Sequence, residues 1–339
     1  MIEDDDVPAM PGVEEEAEEQ RMQALLGHYA AVARGIGEWT PRDVAPVRRR
    51  RRLASMLAGG LAAGVLLVAA HLHRVAWNDG QPWKVTYAID SGARHRDHLA
   101  PGETLATDAR QSLTIAVARI GRITLSPDST LRLLETRSGR HRVRLDVGHL
   151  RARIWAPPES FGVTDGTTEV IDLGCDFDLW KHADGSGRIL VHSGWVAWRL
   201  ASQEVLLPAG FGMRFDAMQA STPVRLHASR AFAHALETLD AALAQPGPLS
   251  GAAHAAADSV AERADDADAF SLLSLLSRHP SLAGGALYAR LARALGTPAD
   301  DARHRAAWTT GDHDAIDTWW RKLPTRPKTW WLNWSDVLD

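Results

Sequence analysis

Between residues 83 and 217 apolar and polar positions alternate with a period of two. Val143, Leu145 and Val147 alternate with Arg142, Arg144 and Asp146, which predicts a half-buried strand. After Gly148 the parity flips, with Leu150, Ala152 and Ile154 apolar and Arg151 and Arg153 polar. A glycine where alternation slips marks a bulge or tight bend. Ile171, Leu173, Cys175, Phe177 and Leu179 form the clearest apolar run, with Asp172, Asp176 and Asp178 between them. That parity sends Cys175 inward and places the three carboxylates on an outward, solvated strand face. Turn chemistry at Pro101-Gly102, Ser126-Pro127-Asp128, residues 183–187 and Pro208-Ala209-Gly210 punctuates the region. Many short strands so divided predict an all-β unit, a sandwich or a β-solenoid.

The rhythm is helical elsewhere. Over residues 228–323 Ala231, Ala235, Leu236, Leu239 and Leu243 share one face, and Leu272, Leu273, Leu275 and Leu276 form a second short helix ended by Pro280. This part reads as an α-helical region of short antiparallel pairs, and residues 324–339 as a tryptophan-rich tail. Trp308, Trp319 and Trp320, with Trp330, Trp331 and Trp334, read as anchors packed on the folded part in preference to an interface.

Near the start, residues 1–20 are acidic and read as a disordered lead. Residues 21–47 carry Met22, Leu25, Leu26, Tyr29, Val32, Ala33 and Ile36 at three- and four-residue spacing. One amphipathic helix of this size cannot bury its stripe against itself, so it needs a partner, and Leu25, Leu26, Tyr29, Val32 and Ile36 are its candidate contacts. Residues 53–71 hold no charged side chain until the histidine at 71 and are long enough, at about 27 Å, to cross a bilayer. Arg48, Arg49, Arg50, Arg51 and Arg52 before it predict a cytoplasmic N-terminus and C-terminal domains in the periplasm of a bacterial inner membrane. The sequence thus predicts a single-pass membrane protein with an extracytoplasmic all-β domain followed by the helical region. Gly60 and Gly64 have the small-residue spacing that lets two such helices self-associate.

Charge and composition change this picture little. The net charge of −4 averages over segments of opposite sign, and a single cysteine, Cys175, excludes an internal disulfide. No nucleotide-binding glycine motif, zinc-protease helix or nucleophile elbow occurs, and the 15 histidines are scattered. Neither an enzymatic activity nor a cofactor, a metal site or direct nucleic-acid binding is expected.

Five short blocks carry a family resemblance. Residues 170–179, VIDLGCDFDL, resemble the V-x-A-L-G-T-x-F-x-V core of FecR-type periplasmic domains, with Cys175 where the family has threonine. Residues 189–196 and 207–210 resemble the following V-x-V-L-x-G-x-V and L-x-A-G. Upstream, residues 125–131 resemble L-x-D-G-S-x-L, and 143–150 resemble V-x-L-x-x-G-x-L. The resemblance implies a transmembrane signalling regulator, an anti-sigma factor that holds an extracytoplasmic-function sigma factor and answers an envelope signal by altering transcription. Its outer partner would be an envelope protein or polysaccharide. The short cytoplasmic segment leaves a second reading, a membrane-anchored binding or scaffold module without a sigma partner.

Overall fold

The computed structural model describes residues 76–87, 97–201, 203–245 and 247–323. The alternation of period two becomes fifteen strands among the described residues. They are β1 (Trp83–Tyr87), β2 (His98–Leu99), β3 (Thr104–Ala106), β4 (Leu113–Val117), β5 (Gly121–Leu125), β6 (Thr130–Arg137), β7 (Arg140–Ile154) and β8 (Phe161–Thr164). There follow β9 (Thr168–Asp172), β10 (Asp176–Lys181), β11 (Gly187–Ser193), β12 (Trp195–Leu200), β13 (Gln203–Pro208), β14 (Phe211–Phe215) and β15 (Val224–Arg225).

The long strand β7 belongs to both halves of a sandwich. Its first part pairs with β6 and β8, in a half completed by β3, β9, β12 and β13. Its second part pairs with β5 and β10, in a half completed by β1, β4, β11, β14 and β15. All pairs are antiparallel except β7 with β8. The parity flip at Gly148 is how one strand serves two sheets. Val143 and Leu145 point into the core before it, and Leu150, Ala152 and Ile154 after it. Gly148 sits at φ +107°, where a Cβ would also collide with Ser129, so no other residue fits without displacement.

Apolar side chains from both halves form one buried cluster. Trp198 of β12 and Phe215 of β14 meet across it with ring centroids 6.2 Å apart. Some polar groups that enter the core are bonded there: Trp83 Nε1 donates to Thr136 Oγ1 at 2.8 Å, and Thr136 Oγ1 lies 2.8 Å from His141 Nδ1, while Trp198 Nε1 and His141 Nε2 are buried without a partner among the described residues.

Among the described residues six α-helices form a third layer: α1 (Arg230–Leu243), α2 (Gly251–Arg263), α3 (Ala269–Arg278), α4 (Ala286–Ala294), α5 (Ala302–Thr309) and α6 (His313–Trp320). Ser229, Ser250, Asp301 and Asp312 cap α1, α2, α5 and α6 by accepting backbone N–H groups. Their apolar faces join Ile171 of β9, Leu173 just after it, and Trp195 and Ala197 of β12 in a second buried cluster. Sandwich and helices lie within one compact unit. Trp308 and Trp319 are buried within the helical layer; residues 324–339 lie outside the described residues.

Two expectations need correction. The predicted single-pass membrane architecture is not supported: among the described residues no helix is long and apolar enough to cross a membrane. The segment 53–71, the acidic lead 1–20 and residues 21–47 lie outside the described residues. The architecture the structure supports is a large antiparallel sheet followed by a helical region. The run from Ile171 to Leu179 is not one strand either. β9 ends at Asp172 in one half and β10 begins at Asp176 in the other. Asp172 is therefore buried at 0% exposure and Asp178 at 7%, so the predicted solvated row of carboxylates does not form. Cys175, 4% exposed, lies in the sandwich core.

Candidate functional site

The sequence-predicted partner contacts Leu25, Leu26, Tyr29, Val32 and Ile36, and the arginines Arg48, Arg49, Arg50, Arg51 and Arg52, lie outside the described residues. The structure instead brings together polar groups that spacing alone does not connect.

The first set lies on the outer surface of the half containing β7, β10 and β11. Register places His149, Trp180 and Arg188 in one row across these strands. His149 stacks on Trp180 at 4.4 Å, and the Arg188 guanidinium lies 3.8 Å from the centre of the same indole. Asp178, two residues before Trp180 on β10, is shared by His149 Nε2 at 2.7 Å and His192 Nε2. Burial alone would raise the Asp178 carboxyl, but the two histidine bonds outweigh it and hold the group below the usual range. Ser126 Oγ reaches His149 Nδ1 at 2.7 Å. This is a serine–histidine–aspartate chain, but its aspartate also serves a second histidine, so it ties β7, β10 and β11 together. Asp176 accepts two bonds from Arg151, at 2.8 and 2.9 Å, and one from Arg153 at 2.8 Å.

The second set is the corner between β9 and β10. Asp172 accepts from the backbone of Gly174 at 3.0 Å and of Cys175 at 2.9 Å, and from the Cys175 thiol. Burial pushes the Asp172 carboxyl up to about 7. Burial, then the neighbouring carboxylate, pushes the Cys175 thiol well above its usual range. The thiol is thus a hydrogen-bond donor and not a ready nucleophile.

The third set joins sandwich to helices. Asp240 of α1 accepts from Thr222 N at 2.8 Å and Thr222 Oγ1 at 2.7 Å, while Arg278 of α3 donates to Thr222 Oγ1 at 2.6 Å and to Ala220 O at 2.8 Å. Burial raises the Asp240 carboxyl against these bonds. Between α1 and strands β11, β14 and β15 runs a groove of about 670 Å³. Arg188, Arg214, Arg225 and Arg230 line it, a concentration of charge that the sequence spreads over forty-odd positions. No group of three or more histidine, cysteine or acidic side chains among the described residues is placed to hold a metal ion.

No family model matches the sequence, and no curated protein does. Among solved structures, two crystal structures of a candidate anti-sigma factor from Parabacteroides distasonis are similar, each 13% identical with a TM-score of 0.32. Each similarity covers 40% of this chain, and 65% and 64% of the other chain, so the match spans less than two thirds of those proteins.

Proposed function

We propose that the chain is a regulator of the anti-sigma type, with the sandwich and helices as its signal-reading part. The observation that carries this reading is what the family-like blocks do in the fold. Gly148, Gly174, Gly194 and Gly210, one glycine from each of four blocks, all have positive φ, between +74° and +107°. They sit in chain order where strands of one sandwich end or change sheet. Only glycine enters that backbone region without steric cost, so the blocks share a structural cause and not just letters. The threonine of the Gly-Thr pair is here Cys175, whose thiol bonds to Asp172 as a hydroxyl could. Names of the Parabacteroides structures agree with this class of function.

A sigma factor would be held by Leu25, Leu26, Tyr29, Val32 and Ile36, laid in an apolar groove of the partner. Each such side chain contributes roughly 1.5–3 kcal/mol on burial, before ordering costs. Affinity capture from lysate with the full chain should recover a sigma factor, and the Leu26→Asp, Tyr29→Asp double variant should not. Genes under that sigma factor should be expressed constitutively in the variant. Capture of no sigma factor together with unchanged transcripts would leave a binding or scaffold module as the better reading.

A further inference from the structure

We propose that the groove between α1 and strands β11, β14 and β15 binds a long-chain carboxylate, an acyl chain with one anionic end. The inference goes beyond the anti-sigma reading and does not depend on it.

The floor is apolar and shaped. Register aligns Leu190, Gly212 and Val224 in one row across the three strands. Gly212 carries no side chain, so the middle of that row is a trough; a Cβ there would stand 3.3 Å from Ile189 O. Ala233 and Leu236 of α1 form the facing wall. Leu226 also lines the groove and is 51% exposed, an uncovered large apolar side chain on a folded loop. A volume of about 670 Å³ is in the range of small-molecule sites.

The charge around this floor is unbalanced. Of the four lining arginines, Arg214 pairs with Glu237 at 2.7 Å and Arg225 pairs with Asp265 and Asp268. Arg188 has only the face of Trp180, and Arg230 has no partner among the described residues. The remaining carboxylate of the lining, Asp240, is turned to Thr222. Two exposed guanidiniums are therefore left for an anion beside an apolar trough. Arg230 is also the first residue of α1, where the helix dipole adds positive potential. Guanidinium groups grip carboxylates through paired hydrogen bonds. An uncharged chain would leave these cations unused, and a polyanion without an apolar part would leave the trough wet.

Titration calorimetry of the full chain with dodecanoate, below its micellar range, tests the proposal. One saturable equivalent should bind, more weakly as salt rises, and dodecanol should bind less tightly. Removing the charges in the Arg188→Gln, Arg230→Gln double variant should weaken dodecanoate binding at least roughly tenfold. Ala233→Trp should abolish it by filling the trough. Both arginines are exposed, so the double variant keeps its fold and decides the matter even if Ala233→Trp does not fold. No saturable binding, equal binding of dodecanol, or unchanged affinity in the double variant would overturn the proposal, the last by placing the chain elsewhere on the protein.

Discussion

Cys175 Sγ donates to Asp172 Oδ1 at the corner where the chain leaves one half of the sandwich for the other, and both side chains are buried. Burial, working against this contact, gives Asp172 an unusual pH behaviour. An aspartate raised from 3.8 to about 7 binds a proton in the folded state that the unfolded chain has already released. The contribution of Asp172 to stability should therefore fall as the pH rises from about 4 to about 7, with a slope of up to about 1.4 kcal/mol per pH unit. Urea unfolding of Asp172→Asn across that range should show the slope removed. A wild-type curve and a variant curve that stay parallel would rule out a protonated Asp172.

His141 and His279 act in the opposite direction. Burial, then the adjacent Arg142 and Arg278, lowers each imidazole from 6.5 to about 4. Between those values the unfolded chain takes up protons that the folded state refuses, so their contribution is lost as pH falls from 6.5 toward 4. His141→Gln should remove about half of this acid limb, leaving the His279 share and the Asp172 limb in place. The check is the same urea series, read as the difference between variant and parent. An unchanged acid limb would mean that His141 titrates normally.

Two glycines of similar φ separate backbone strain from packing. Gly139, at φ +72°, turns between β6 and β7 with nothing near an added Cβ. Gly194, at φ +74°, lies against Gly174 O and the Cys175 backbone, where an added Cβ would clash. Gly139→Ala should cost about 1 kcal/mol, the left-handed penalty alone. Gly194→Ala should cost about 3 kcal/mol or more, because backbone cannot swing aside. Equal losses for the two, measured by chemical denaturation, would show that the β11–β12 corner yields.

These positions also show what the sequence could and could not reveal. The break of parity at Gly148 was readable, and so was the inward direction of Cys175, since alternation reports which face a side chain takes. Alternation does not report which sheet a strand joins. Ile171, Leu173, Cys175, Phe177 and Leu179 share one parity, yet the first two pack on the helices and the last three in the sandwich. A single Gly174 at φ +84° redirects the chain between them. Asp172 consequently moves from an expected solvated face into the interior. The helix α2 was unmarked because its buried face is mostly alanine, Ala253, Ala256, Ala257 and Ala261 around Val260. The polar row of His149, Asp178 and His192 spans three strands, and only register brings it together.

Phe270 gives the sharpest test of how sandwich and helices depend on each other. It lies in the first turn of α3 and meets Trp195 of β12 at 5.9 Å, Phe211 of β14 at 4.9 Å and Trp320 of α6 at 5.6 Å, each edge to face. The ring thus joins two strands and two helices in one contact. Nearby, Arg225 of β15 reaches Asp268 at 2.9 Å, so polar links accompany the aromatic one. Removing a buried phenyl ring costs roughly 3–5 kcal/mol through lost transfer energy and the cavity left behind. Phe270→Ala should lower stability by that amount, because three aromatic neighbours anchored in different elements cannot collapse into the gap together. In the parent chain, helical circular dichroism and tryptophan fluorescence should follow one coincident urea transition, as expected when one apolar cluster spans both layers. In Phe270→Ala the helical signal should be lost first, at a lower midpoint, while the sandwich core around Trp198 and Phe215 persists. Two separate transitions in the parent, or a Phe270→Ala unfolding free energy within about 0.5 kcal/mol of the parent's, would mean that the helices stand without the sheet.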